Sequence, residues 1–177
     1  MKTIRPQIFV GLVLLTTALA QARETNNVAI ASYAQNFVAQ QGDSLVPFKP
    51  GKFLSAPYTA LYFGAGWCPD CRRFSPALVA AYDGQTNGER RFEVLLLTMD
   101  KTPEAMLKFM RSEKMRWPAL AFDKMAGAEA LKKYYSGQGI PCLSVVDQKG
   151  AVVLQSKSDQ DATEILNQLE VLLKDKK

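Results

Sequence analysis

Cys68 and Cys71 are separated only by Pro69 and Asp70, in the segment Trp67-Cys68-Pro69-Asp70-Cys71. Two thiols at this spacing can form a small disulfide ring, so the chemistry they suggest is reversible thiol-disulfide exchange. Before them runs Tyr58-Thr59-Ala60-Leu61-Tyr62-Phe63, β-branched and aromatic, closed by Gly64 and Gly66. After them Phe74, Leu78, Ala81 and Tyr82 recur at helical spacing. A buried strand followed by a helix is therefore expected, with the pair at the junction. The first thiol then sits at a helix N-terminus, where unpaired N–H groups and the helix dipole favour a thiolate. The second lies one turn in. An exposed Cys68 is expected to attack a partner disulfide, and a shielded Cys71 to resolve the mixed disulfide.

Other uses of the pair can be weighed from composition. Half of a zinc site needs a second pair or histidines, and the chain has three cysteines and no histidine. A haem attachment needs histidine after the second cysteine, where Arg72 stands. A static disulfide stays open, and a reduction potential below about −300 mV would mark it. So does a soft-metal alternative, in which Cys68, Cys71 and Cys142 offer three thiolates to copper. The lack of histidine and of methionine-rich tracts argues against it. The missing histidines also exclude a Ser-His-Asp triad.

The chain has 177 residues, 47% hydrophobic and 22% charged, which fits one ordinary globular domain. It opens with Lys2 and Arg5, then an apolar run from Ile8 to Leu15, then Ala18-Leu19-Ala20. This order of basic, apolar and small residues is that of a signal peptide over residues 1–20, with periplasmic or secreted localisation. Its removal leaves 20 basic against 17 acidic residues, a net charge of +3 in place of +5. That mild, scattered excess implies no nucleic-acid partner, and no later segment is apolar enough for membrane insertion of the mature chain.

The elements that must position the dithiol follow. Residues 21–41 form a polar segment in which Val28, Ala31, Ala34 and Val38 have helical spacing. Phe92 to Met99 reads as a second buried strand, and Thr102-Pro103 as the cap and first turn of a helix carrying Met106, Leu107, Phe109 and Met110. Trp117-Pro118 opens a loop, and Ala128 to Tyr135 reads as a short helix. Leu143–Val146 and Val152–Leu154 flank Gln148-Lys149-Gly150 as a hairpin. A final amphipathic helix is expected from a Ser158 cap to Leu173. Strands alternating with helices imply a sheet flanked by helices.

The segment from Tyr62 to Arg72 resembles the active site of thioredoxin-fold proteins, above all the tryparedoxin and nucleoredoxin branch with its motif YFSASWCPPCR. Phe74, Pro76 and Leu78 continue the resemblance, as do Met99-Asp100, Met115-Arg116-Trp117 and Phe122. Gly139-Ile140-Pro141 followed by Leu143 is similar to the family's cis-proline loop, which composition alone would read as a turn before an edge strand. The resemblance implies an α/β, thioredoxin-like fold over residues 42–177, a central mixed β-sheet flanked by helices. It implies a cis Ile140-Pro141 peptide beside Cys68, with Trp67 at the site's rim and Ile140 and Pro141 facing an extended substrate. It further implies a thiol-disulfide oxidoreductase, read here as a reductase. Its substrate would be a disulfide-containing protein or a small thiol, and an external redox partner would recycle it. No cofactor is implied, because the dithiol carries the electrons.

Three departures from the family pattern bear on the chemistry. Tyr62 stands where thioredoxin has a buried aspartate, so the proton acceptor is expected to be another carboxylate or water; Asp70, Glu93 and Asp100 are the candidates, each expected as a solvated surface carboxylate. Asp70 replaces a proline; its charge disfavours a thiolate at Cys68, while Arg72 and Arg73 act the other way. Cys142 takes the place of a threonine after Pro141, either as a small buried residue or as a modulator of the dithiol.

Overall fold

The computed structural model describes residues 27–85, 90–158 and 161–174, so the expected signal peptide lies outside the described residues. Among the described residues the frame is one seven-stranded mixed sheet in the order β2 (Ser44–Pro47), β1 (Phe37–Gln41), β5 (Ala119–Leu120), β4 (Phe92–Thr98), β3 (Tyr58–Gly64), β6 (Cys142–Asp147), β7 (Val152–Gln155). Its two central strands, β3 (Tyr58–Gly64) and β4 (Phe92–Thr98), run parallel in register from Tyr58 opposite Phe92 to Gly64 opposite Thr98. Every residue of both is buried, because helices cover each face. Strand β6 (Cys142–Asp147) lies antiparallel on the other side of β3, and β7 (Val152–Gln155) completes the expected hairpin. Gly150, at φ +80°, supplies the left-handed residue of its turn.

The alternation of side chains across the sheet creates two cores. Tyr58, Ala60, Tyr62, Val94 and Leu96 face one side, under α2 (Pro69–Asp83), α3 (Pro103–Ser112) and α5 (Ala162–Lys174). Leu61, Phe63, Leu95 and Leu97 face the other, with Ile30 of α1 (Val28–Ala31) and Leu131 of α4 (Glu129–Lys132). Helix α2 starts where Pro69, which has no N–H to lose, occupies the first turn after Cys68. Helix α3 starts as expected, with Thr102 Oγ1 accepting from the Ala105 N–H at 3.1 Å.

Three local expectations change. Among the described residues of the polar segment, helical structure is confined to α1 and one 3-10 turn at Ala34–Asn36; Phe37–Gln41 is strand β1, folded back through Gly42 (φ +58°) onto β2 (Ser44–Pro47). Phe37 decides this, buried edge-on against Phe53 at 5.4 Å, so the sheet takes in the end of the segment set apart as polar. The loop after Trp117-Pro118 contains a two-residue strand, β5 (Ala119–Leu120), which bridges β4 and β1. Finally, α5 begins at Ala162, preceded by Asp161 rather than by Ser158.

Candidate active site

The C-terminal ends of β3 and β4 deliver the chain to the dithiol. Cys68 is the N-cap of α2, with extended backbone (φ −83°, ψ 117°), and its sulfur accepts the N–H of Cys71 at 3.2 Å. On the other side the Cys68 thiol faces the Ile140 carbonyl oxygen at 3.4 Å, and the Ile140-Pro141 peptide is cis. The expected loop and the dithiol are thus brought together from 72 positions apart. Cys68 is less open than expected, at 4% exposed, because Ile140 and the first turn of α2 close over it.

Cys71 is fully buried. Burial pushes its thiol up to about 12, reinforced by its hydrogen bond with Cys68; hydrogen bonds from the Ala65 backbone and Tyr62 act in the opposite sense. Beneath it lies a polar pair, of which Tyr62 stands out from the family pattern and Ser75 does not. The Tyr62 hydroxyl is 3.0 Å from Ser75 Oγ, and both reach the Cys71 carbonyl, Ser75 at 2.8 Å and Tyr62 at 3.4 Å. Burial, with the Cys71 charge adding to it, drives the Tyr62 phenol well above its ordinary value. Ser75 had a legible signal, a polar residue one turn after Cys71 on the apolar face of α2.

Asp70 and Arg73 form an exposed ion pair, and the Arg72 guanidinium turns instead to the Gly66 carbonyl. The opposing charges expected around Cys68 are therefore arranged separately, Asp70 offset by Arg73 and Arg72 spent on the loop before the dithiol. Trp67 stands at the rim, 59% exposed, its indole N–H donating to the Met99 carbonyl at 3.1 Å. Trp117 is a core residue, packed edge-on against Tyr82 at 5.3 Å.

Of the three carboxylates, only Asp70 is at the surface. Glu93 and Asp100 are 7% and 8% exposed, which corrects the expectation that they are solvated. Glu93 accepts the Tyr82 hydroxyl at 2.7 Å and sits opposite Thr59 in the β3–β4 register. That is the far end of the strands, on the order of 15 Å from the dithiol at about 3.3 Å per residue. Asp100 belongs to the site: it accepts the Gly66 N–H at 3.0 Å and the Thr98 hydroxyl at 2.9 Å, so it shapes the loop that carries Trp67 and Cys68.

Burial raises the Asp100 carboxyl above the usual range, against those two hydrogen bonds. The folded protein therefore holds this proton more tightly than the unfolded chain does. Stability from this group is full below the unfolded value of about 3.9 and is lost as pH rises through the higher folded value. Asp100→Asn can keep the Gly66 N–H on its Oδ1, turns the second bond round so that Nδ2–H donates to Thr98 Oγ1, and cannot ionise. It should match the parent in thermal melts near about pH 3 and exceed it near about pH 7. A difference that stays constant with pH would count against the argument.

Cys142 opens β6 directly after Pro141 and is fully buried. It pairs with Phe63, whereas the next residue, Leu143, pairs with Tyr62. Paired residues share a face, so Leu143 lies in the core with Cys68 and Cys71 and Cys142 in the other, 3.6 Å from Ser136 Oγ. The three sulfurs do not converge, which removes the geometry that a three-thiolate copper site requires. No cluster of three or more His, Cys, Asp or Glu side chains suited to a metal occurs among the described residues.

Comparison with known proteins agrees with this geometry. Residues 57–152 match the family described as thioredoxin-like. Tryparedoxin of Trypanosoma brucei brucei is 31% identical over 121 residues, 68% of this chain and 78% of the relative. Nucleoredoxin of Xenopus laevis is 31% identical over 117 residues, 66% of this chain; the chain spans only 27% of that relative's length. A solved structure of tryparedoxin II complexed with glutathionylspermidine aligns with a TM-score of 0.59 at 26% identity, over 80% of this chain and 94% of that one. The family match covers more than half of the chain and contains the dithiol, so the protein belongs to the thioredoxin-like family.

Proposed function

We propose that the protein is a thiol-disulfide oxidoreductase working as a reductase through Cys68 and Cys71. The observation that carries this reading is the placement of the Cys68 sulfur between the Cys71 N–H and the Ile140 carbonyl, with a second, buried thiol one turn behind. In the reductive direction the Cys68 thiolate attacks one sulfur of a substrate disulfide. A Cys68–substrate disulfide forms, and the other substrate sulfur leaves with the electron pair and takes up a proton. Cys71 then loses its proton and attacks the Cys68 sulfur. The Cys68–Cys71 bond forms, the second substrate thiol is released, and two electrons have passed from the dithiol to the substrate. Because the Cys71 thiol is pushed up to about 12, this second step needs a proton acceptor, either the departing substrate thiolate or water.

Substrates of this reading are protein disulfides or small-thiol disulfides; the complex of tryparedoxin II with glutathionylspermidine supports the second class by likeness. An external reductant would recycle the dithiol. The basic, apolar and small-residue order of residues 1–20 supports export to the periplasm or medium, to be tested by sequencing the N-terminus of the protein recovered there.

The test of the reaction is to mix the reduced protein with hydroxyethyl disulfide or insulin and count remaining thiols. Two of the three thiols should be lost, with Cys142 retained. A potential near the about −270 mV of a reductant agrees with the direction; one near about −120 mV would reverse it. No loss of thiols would refute the reaction itself.

A further inference from the structure

A groove of about 790 Å³ lies against the dithiol segment, sharing Gly66, Trp67 and Arg72 with it and bounded beyond them by α3. Its size falls within the about 300–1,000 Å³ of ligand clefts. Gly66, Trp67, Ala105 and Phe109 make its lining largely apolar. Gly66 keeps this wall open, since a Cβ there would lie 3.0 Å from Phe109 Cβ and crowd it.

The lining carries three cationic side chains, Arg72, Lys101 and Lys108, against two carboxylates, Asp100 and Glu113, so positive charge is in excess. Asp100 is buried and already accepts from Gly66 and Thr98. The Arg72 guanidinium is held by the Gly66 carbonyl, and Glu113, at the C-terminal end of α3, accepts from the Ser112 hydroxyl. Lys101 and Lys108 remain, both exposed lining residues and neither in an ion pair among the described residues. Elsewhere Lys124 and Lys132 are paired, with Asp123 and Glu129. Glu104 lies between the two lysines in sequence, but it does not line the groove and forms no ion pair with either among the described residues.

An apolar lining next to a reactive dithiol, with two uncommitted ammonium groups, is complementary to a chain that carries both an apolar side chain and carboxylates. We propose that this groove docks an acidic segment of a disulfide-bearing partner protein, placing an apolar residue on Trp67 and Phe109 and carboxylates at Lys101 and Lys108, so that the adjoining disulfide reaches Cys68. The proposal rests on the thiol-disulfide reading above and names its substrate class. Charge of this kind acts on encounter and selectivity, and salt screens it.

The experiment uses two synthetic disulfide-bridged peptides with an apolar residue beside the cysteine, identical except that flanking glutamates in one are glutamines in the other. Each rate is divided by the same enzyme's rate with hydroxyethyl disulfide. The parent protein should favour the glutamate peptide in kcat/KM by about tenfold at low salt, and the preference should shrink as salt rises. In the double variant K101E/K108E it should vanish or invert. Equal rates for the two peptides, or a preference that survives the charge reversal, overturns the proposal. A cysteine-free glutamate peptide titrated calorimetrically into both proteins gives an independent reading, because it needs no chemistry. Binding to the parent that is lost in the double variant supports the groove even where no disulfide turns over; absence of binding to the parent counts against it. Failure to reduce hydroxyethyl disulfide strikes only the thiol-disulfide reading.

Discussion

Cys68→Ser should bring disulfide reduction down to the uncatalysed background while leaving the fold in place. Serine is among the best N-cap residues, and its Oγ can accept the Cys71 N–H that the sulfur now accepts at 3.2 Å. Thermal stability close to that of the parent would therefore separate lost chemistry from lost structure. Cys71→Ser should behave differently. It keeps the attacking sulfur and loses the resolving one, so mixed disulfides with substrate should accumulate and be visible on non-reducing gels. Alkylation of the reduced native protein provides a second measurement. Cys71 is fully buried with its thiol pushed up to about 12, and Cys142 is fully buried in the other core, so the first label should fall on Cys68. Equal trapping by the two serine variants, or a first label on Cys71, would exchange or abolish the assigned roles.

Gly64→Ala should be among the most damaging single-methyl changes in the molecule. A Cβ at Gly64 would lie 2.7 Å from Tyr62 Cζ and 2.8 Å from its hydroxyl. The ring has little freedom to withdraw. It packs edge-on against Phe74 at 5.5 Å and tilted against Phe109 at 6.4 Å, and its hydroxyl is bonded to Ser75. The backbone is equally held, since Gly64 pairs with Thr98 and its carbonyl accepts the Met99 N–H at 2.8 Å. Overpacking of this kind costs about 1–3 kcal/mol, read as a shift of the denaturation midpoint. Because the displaced hydroxyl also reaches the Cys71 carbonyl, resolution of the mixed disulfide should slow as well. The check is a double-mutant cycle with Tyr62→Leu, which removes the far end of the ring. If the clash is the cause, the double variant should be less destabilised than the sum of the singles by about 1 kcal/mol or more. Simple additivity would refute the account.

Much of the site was legible because it is local. Pro69 at the first turn, the helical spacing of Phe74, Leu78 and Tyr82, and the run from Tyr58 to Phe63 place a strand, a tight connection and a helix around two thiols without reference to the rest of the chain. The resemblance of Gly139-Ile140-Pro141 to a cis-proline loop added the one distant element, and the structure places it 3.4 Å from the Cys68 sulfur. Elements whose signal depends on partners were read less well. Val38 continues the helical spacing of Val28, Ala31 and Ala34, yet pairing with Ser44–Pro47 and the burial of Phe37 against Phe53 make Phe37–Gln41 a strand. Two residues of β5 carry no periodicity at all; they are a strand only because β4 and β1 lie on either side.

By itself the sequence determined the dithiol, its place at the start of a helix and the alternating strands that form the sheet, since these follow from periods and residue types within short windows. Tertiary structure alone decided which chemistry-bearing side chains keep company with that dithiol. Register across β3 and β4 sends Glu93 to the far end of the sheet, the chain leaving β4 brings Asp100 to Gly66, and Lys101 and Lys108 line the groove with Trp67 without an ion pair among the described residues. It also turns Leu143 toward the dithiol and Cys142 away, because side chains alternate along a strand and a single residue of parity separates one core from the other.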